Sequence, residues 1–177
     1  MNVADQIADW LANVGIEQVF TVTGGGSMFL NQAFGRHSRL NCTFMHHEQA
    51  CAMAAEGYAR MKCKPAVVLI TTGPGAINAM NGVFGAFTDS IPMIVISGQV
   101  KRETCMSCHD SVKLRQLGDQ EAPVVAMVSP ICKAAHFIED ENSLSDLLPT
   151  LYNTAIHGRP GPVCLTSRLT FKILKLI

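Results

Sequence analysis

At 177 residues the chain has the length of one α/β domain, or of one domain with a tail. It is 48% apolar and only 16% charged, so a sizeable core can form and part of the exterior is free to be buried against another subunit. Fourteen basic residues balance 14 acidic ones, which removes any electrostatic reason to expect nucleic acid or an anionic membrane as partner.

The first residues carry Asp5 where an export signal needs base, and no long apolar run follows, so the chain reads as cytoplasmic. Val3, Ile7, Leu11 and Val14 recur at helical spacing, and Gly15 supplies the stop. Residues 19–22 are β-branched and aromatic and predict a buried strand. It ends in Gly24-Gly25-Gly26, after which Ser27 is placed to cap a helix over 28–37. A second strand over 42–45 leads into an Ala-rich helix over 48–60, whose Ala50, Ala54 and Ala55 should pack on the sheet. The third unit is a strand over 66–70, the turn Gly73-Pro74-Gly75, and a helix over 76–87. A fourth strand over 93–96 follows Pro92. Between residues 65 and 100 the only charge is Asp89, yet the turn and Asn78 interrupt the run before the twenty or so apolar residues that a membrane span needs. Residues 98–120 are more polar and predict a loop with a short helix. A strand over 134–138, a helix over 143–156 and a strand near Val163 complete the series.

Strands alternating with helices at these lengths imply parallel pairing and right-handed crossovers. The expected fold is a three-layer α/β domain, a doubly wound parallel sheet of about six strands with helices on both faces. Ligands of such sheets bind beyond the carboxyl ends of the strands. Three strands here are followed at once by the glycine triplet, by His46-His47-Glu48, and by Gly73-Pro74-Gly75. The triplet lacks the Gly-x-Gly-x-x-Gly spacing of a dinucleotide site and reads equally as a tight turn. Glu48 at a helix start is either a helix-terminal carboxylate favoured by the dipole or a ligand-binding group that steers protonation. His46 and His47 have no partner at ligand spacing, so they predict no metal. Seven cysteines without an export signal argue against a disulfide framework. Cys105-Met106-Ser107-Cys108-His109 matches a haem-attachment pattern, but a second axial ligand and a second zinc-ligand pair are both missing from its surroundings. The segment reads as an exposed loop with thiols.

His47-Glu48-Gln49-Ala50 with Gly57-Tyr58-Ala59-Arg60, then Thr72-Gly73-Pro74-Gly75 with Asn78, Gly98-Gln99-Val100, and Gly158-Arg159-Pro160-Gly161-Pro162-Val163 occur in one order. That ordered set resembles the pyrimidine-binding domain of thiamine-diphosphate enzymes of the acetolactate synthase type, from Val3 to Leu165. The resemblance implies thiamine diphosphate as cofactor. It makes Glu48 the glutamate that hydrogen-bonds a ring nitrogen and favours the imino tautomer, whose nitrogen deprotonates the thiazolium carbon. It places Gly25, Pro74 and Asn78 along the pyrimidine pocket and Gln120 near the reacting centre. Magnesium would be held by a diphosphate-binding domain carrying Gly-Asp-Gly, and FAD by a middle domain. The 177 residues contain neither. Partners implied are a second copy, pairing through the pyrimidine domain, or a separate diphosphate-binding subunit.

The match breaks in two places. Asp119 stands where the family has phenylalanine, and residues 166–177 depart from the family's Asp-Ile-Pro ending. Residues 165–172 can be written in codons that, with one base restored after the Leu165 codon, read Leu-Asp-Ile-Pro-Leu-Asp-Val-Gln. The tail beyond the 1–165 domain is therefore either frameshifted or a natural divergence. The function implied is a component of a carboligating transferase acting on pyruvate, inactive as an isolated chain. The alternatives are the α subunit of a two-chain decarboxylase of the sulfopyruvate or phosphonopyruvate type, and a non-catalytic dimerisation module.

Overall fold

A computed structural model describes residues 2–109 and 114–168 of the chain. Strands β1 (Gln18–Thr21), β2 (Asn41–Phe44), β3 (Ala66–Ile70), β4 (Met93–Gln99), β5 (Ala134–Phe137) and β6 (Pro162–Arg168) form one sheet. Its order is β2-β1-β3-β4-β6-β5, and every neighbouring pair is parallel. The helices are α1 (Val3–Asn13), α2 (Met28–Arg36), α3 (Glu48–Lys62), α4 (Pro74–Thr88), α5 (Val124–Val128) and α6 (Leu144–Ile156). This is the three-layer, doubly wound architecture that the sequence implies.

Local chemistry sets the ends of the elements. Asn2 and Asp5 form a capping box at the start of α1, and Gly15, at φ +86°, turns the chain out of it. All five residues of β3 are buried, as a central parallel strand covered on both faces must be. Alternation then sorts the core. Val67, Leu69, Ile94, Ile96, Val163 and Leu165 point to the face covered by α1, α2 and α6. Val68, Ile70, Met93, Val95 and Cys164 point to the face covered by α3, α4 and α5.

Several expectations change. Ser27 stands at the N-cap of α2 but its side chain caps no amide; the hydroxyl lies within hydrogen-bond distance of Asn31 Oδ1 (2.6 Å) and of the Gly24 carbonyl (3.3 Å). The buried face of α3 is Glu48, Cys51, Ala52, Ala55 and Ala59, so of the three alanines expected on the sheet only Ala55 is fully buried. Among the described residues of the segment 98–120, the chain forms two 3₁₀ turns, Arg102–Thr104 and Met106–Cys108, after a β4 that runs on to Gln99. Cys105 is buried rather than exposed. The last strand continues past Leu165: Thr166 pairs with Ser97 and Phe137, and Arg168 pairs with Gln99. The rest of the expected tail, residues 169–177, lies outside the described residues. Among the described residues, no helix is long and apolar enough to cross a membrane.

The strand order positions the site. The chain leaves β1 toward β2 on one side and leaves β3 toward β4 on the other, so the connections diverge above the β1–β3 pair. Diverging connections open a crevice at the carboxyl ends of those strands, where ligands of this architecture bind.

Candidate functional site

The crevice is floored by Thr71, the residue after β3. A Cβ on Gly24 would fall 2.5 Å from Thr71 Cβ, so the loop after β1 lies directly on that side chain. The Gly26 amide donates to Thr71 Oγ1 at 3.1 Å and fixes the loop there. Gly25, between them, is exposed and has nothing within 4 Å of where a Cβ would stand. It presents bare backbone to the crevice. On the other side of Thr71, a Cβ on Gly75 would lie 2.8 Å from Thr71 Cγ2 and 3.1 Å from Glu48 Oε1. Thr71 therefore joins the glycine loop to the start of α4, and Gly75 in turn meets Glu48 at the start of α3.

Glu48 is the first residue of α3, and His47 caps that helix, its Nδ1 accepting from the Gln49 amide at 3.1 Å. The capping role considered for Glu48 belongs to its neighbour. Glu48 is only 8% exposed. Asn78, one turn into α4, donates from Nδ2 to Glu48 Oε2 at 3.0 Å. Oε1 accepts no hydrogen bond among the described residues and faces Gly75 across the mouth of the crevice. The pair can form because α3 and α4 pack closely: a Cβ on Gly82 would stand 2.6 Å from Ala52 Cβ. One turn after Glu48, burial and then the Glu48 charge push the Cys51 thiol up to about 11.

The far wall is tied together by Gln99 at the end of β4. Its Oε1 accepts from Thr72 Oγ1 (2.6 Å) and from the Val100 amide (2.9 Å), while its Nε2 donates to the Ala122 carbonyl (2.9 Å). Gly73 has φ +50°, and a Cβ there would overlap the Gln120 carbonyl oxygen. Gln120 itself has φ +56° and an exposed side chain.

Of the residues singled out from the sequence, Glu48 and Asn78 are thus directly bonded. Gly25 and exposed Pro74, the first residue of α4, are sequence neighbours of Gly24, Gly26 and Gly75, which pack on Thr71. Gln120 reaches Gly73 through its backbone. Thr71 and Gln99 are the residues that sequence reasoning undervalued. Thr71 adjoins a recognised motif and Gln99 lies within one, but nothing local marks a threonine or a glutamine as the joint between separate loops. Among the described residues, no three His, Cys, Asp or Glu side chains converge as a metal site would require.

A nearly buried carboxylate with one oxygen held by an amide donor and the other free is arranged to accept a hydrogen bond from a ligand N–H. Comparison with known proteins gives the class of ligand. Residues 1–122 match the family model "Thiamine pyrophosphate enzyme, N-terminal TPP binding domain". Over 163 residues the chain is 36% identical to acetolactate synthase, chloroplastic, of Arabidopsis thaliana, covering 90% of this chain and 22% of that protein. It is also 36% identical to acetolactate synthase 3, chloroplastic, of Brassica napus (90% and 23% covered). The acetolactate synthase large subunit of Haemophilus influenzae is 34% identical over 160 residues (90% and 26% covered). The chain spans about a quarter of the length of the curated relatives it matches. By sequence, the chain belongs to the thiamine pyrophosphate (thiamine diphosphate) enzymes as a TPP-binding N-terminal domain of the acetolactate synthase type.

Proposed function

We propose that this domain holds the aminopyrimidine ring of thiamine diphosphate in the β1–β3 crevice, as the pyrimidine half of an acetolactate-synthase-like transferase acting on pyruvate. The observation that carries the reading is the divided Glu48 carboxylate: Oε2 is fixed by Asn78 at 3.0 Å and Oε1 is left for a ring N–H. The residues fit the group. The open space at Gly25 admits a flat ring beside bare backbone, and Gly75 leaves Glu48 Oε1 uncovered where a side chain would crowd it. When bound, the cofactor supplies the electron sink that stabilises negative charge beside the carbonyl carbon of a 2-oxoacid.

The chain's own residues do the positioning. Asn78 orients the carboxylate, Glu48 Oε1 accepts the ring N–H and biases which ring nitrogen carries a proton, and Thr71 keeps the glycine loop against the ring. The Gln99 amide holds the Thr72 side against the segment that carries Gln120. In this reading the diphosphate, its magnesium and any FAD are held by other domains. The exposed Met53, Ile77 and Phe84 on α3 and α4 support pairing of two such domains through that face.

The test supplies the chain with a diphosphate-binding domain from a relative and follows exchange of the thiazolium C2 proton by NMR. Glu48→Gln should slow exchange by roughly 10²–10⁴-fold, the usual contribution of a positioned acid–base group. Unchanged exchange in the variant would contradict the role of Glu48. The chain alone, given thiamine diphosphate and magnesium, should consume no pyruvate.

A further inference from the structure

The Cys-x-x-Cys segment after β4 has no part in that reading, yet its geometry is specific. Cys105 is the extended residue (φ −93°, ψ 121°) that caps the 3₁₀ turn Met106–Cys108, and Cys108 is the third residue of that turn. The Cys108 amide donates to the Cys105 carbonyl at 3.0 Å. A side chain at the cap reaches over the first turn toward the third residue. A turn closed in this way also keeps its end Cα atoms within about 7 Å, which overlaps the roughly 4.4–6.8 Å that a disulfide requires. Cys105 Sγ lies 3.2 Å from Ser107 Oγ, so it already points along the turn. Both thiols are free; Cys105 is buried and Cys108 half-buried.

The turn is also wired to the site. Glu121 accepts the Met106 amide on Oε1 (2.8 Å) and the Gly118 amide on Oε2 (3.2 Å). A Cβ on Gly118 would stand 2.7 Å from Val100 Cγ2 and 2.8 Å from the Thr104 carbonyl, so this segment is wedged against residues 100–104. Its next contact is Gln120 on Gly73.

We propose that Cys105 and Cys108 are a reversible dithiol–disulfide pair that exchanges with disulfides of the glutathione class and passes its state through Glu121 to the Gln120–Gly73 junction. The more accessible Cys108 thiolate attacks one sulfur of glutathione disulfide and expels a glutathione thiolate. Cys105, having given its proton to solvent, then attacks Cys108 Sγ and expels the second. Two protein thiols lose two protons and two electrons, and one glutathione disulfide becomes two glutathiones. Burial raises the Cys105 thiol, hydrogen bonding to Ser107 offsets part of that rise, and Glu121 adds a smaller upward push, so Cys108 is the first attacking thiol and Cys105 takes the second, intramolecular step. The exchange needs no cofactor, so it stands or falls separately from the proposed function.

The full chain is equilibrated in glutathione buffers of graded potential, quenched in acid, alkylated and mapped by mass spectrometry, with amide NMR spectra recorded in the same buffers. Cys105 and Cys108 should lose alkylation together as one two-electron transition, mapped as a 105–108 cross-link, and the Gly73 and Gln120 amides should shift along the same curve. Cys63→Ser, at an exposed thiol elsewhere, should leave the curve unchanged, and Cys108→Ser should abolish it. Three results would overturn the proposal: both cysteines still alkylated while Cys63 is glutathionylated, a stable mixed disulfide at Cys108, or a cross-link that leaves the Gly73 amide unmoved.

Discussion

The two faces of the sheet are packed with different materials. Under α1, α2 and α6 the core is made of large side chains such as Ile7, Leu11, Leu30, Phe34 and Leu151. Under α3 and α4 it is made of Ala52, Ala55, Ala76, Ala79 and Ala86, with Gly82 pressed against Ala52. Large side chains bury more area per residue and carry more of the stability. Small ones contribute less but let two helices approach until groups at their first turns touch, and that is where Glu48 meets Asn78. One face is built mainly to hold the domain together, the other to place a carboxylate.

Substitutions on each face separate these roles. Phe34→Ala, on the large-residue face, should cost about 3–5 kcal/mol in urea or thermal unfolding. It should leave the Asn78 side-chain amide resonance unchanged while the protein is folded. Gly82→Val should cost less, about 1–3 kcal/mol from overpacking. By forcing α3 from α4 it should nevertheless move the Asn78 amide resonance toward its solvent-exposed position. An unmoved resonance in Gly82→Val would mean that helix proximity does not place the carboxylate. The smallest effect concerns pH. The folded state raises the Cys51 thiol from 9.0 to about 11, so above pH 9 the unfolded chain loses this proton first. Its contribution is therefore complete below pH 9 and is lost as pH rises toward 11. Cys132 and Cys164, raised chiefly by burial, act with the same sign. Melts between pH 8 and 10.5 should show a falling midpoint, and Cys51→Ala should flatten part of the slope.

How much was legible in the sequence varied with how local the determinant is. The strand over 66–70 is a short, wholly apolar run bounded by turn residues, and it forms at those bounds. The Gly-Pro-Gly turn marks the start of α4, although Pro74 begins the helix two residues earlier than its apolar pattern does, as its fixed φ allows at a first position. Helix α5 went unread because Val124–Val128 is five residues of mostly β-branched sequence with no room for a helical period. Glu48 and Asn78 were legible as separate residues of a motif set. Their contact was not, since it depends on how α3 and α4 pack across 30 residues of sequence. Strand order, the left-handed backbone of Gln120 and the bridging by Thr71 and Gln99 are likewise long-range and leave no mark on a local pattern.

The claim that rests most directly on geometry is that Glu48 Oε1 is the acceptor for a ring N–H. Titrating the labelled chain with 4-amino-5-hydroxymethyl-2-methylpyrimidine, the ring without the rest of the cofactor, tests it by amide NMR. Saturable shifts should appear at Gly25, Glu48 and Gly75, and Glu48→Gln should weaken binding by roughly tenfold or more, the worth of a hydrogen bond to a charged group. Equal affinity in wild type and Glu48→Gln, or shifts confined to the Cys105 turn, would contradict it.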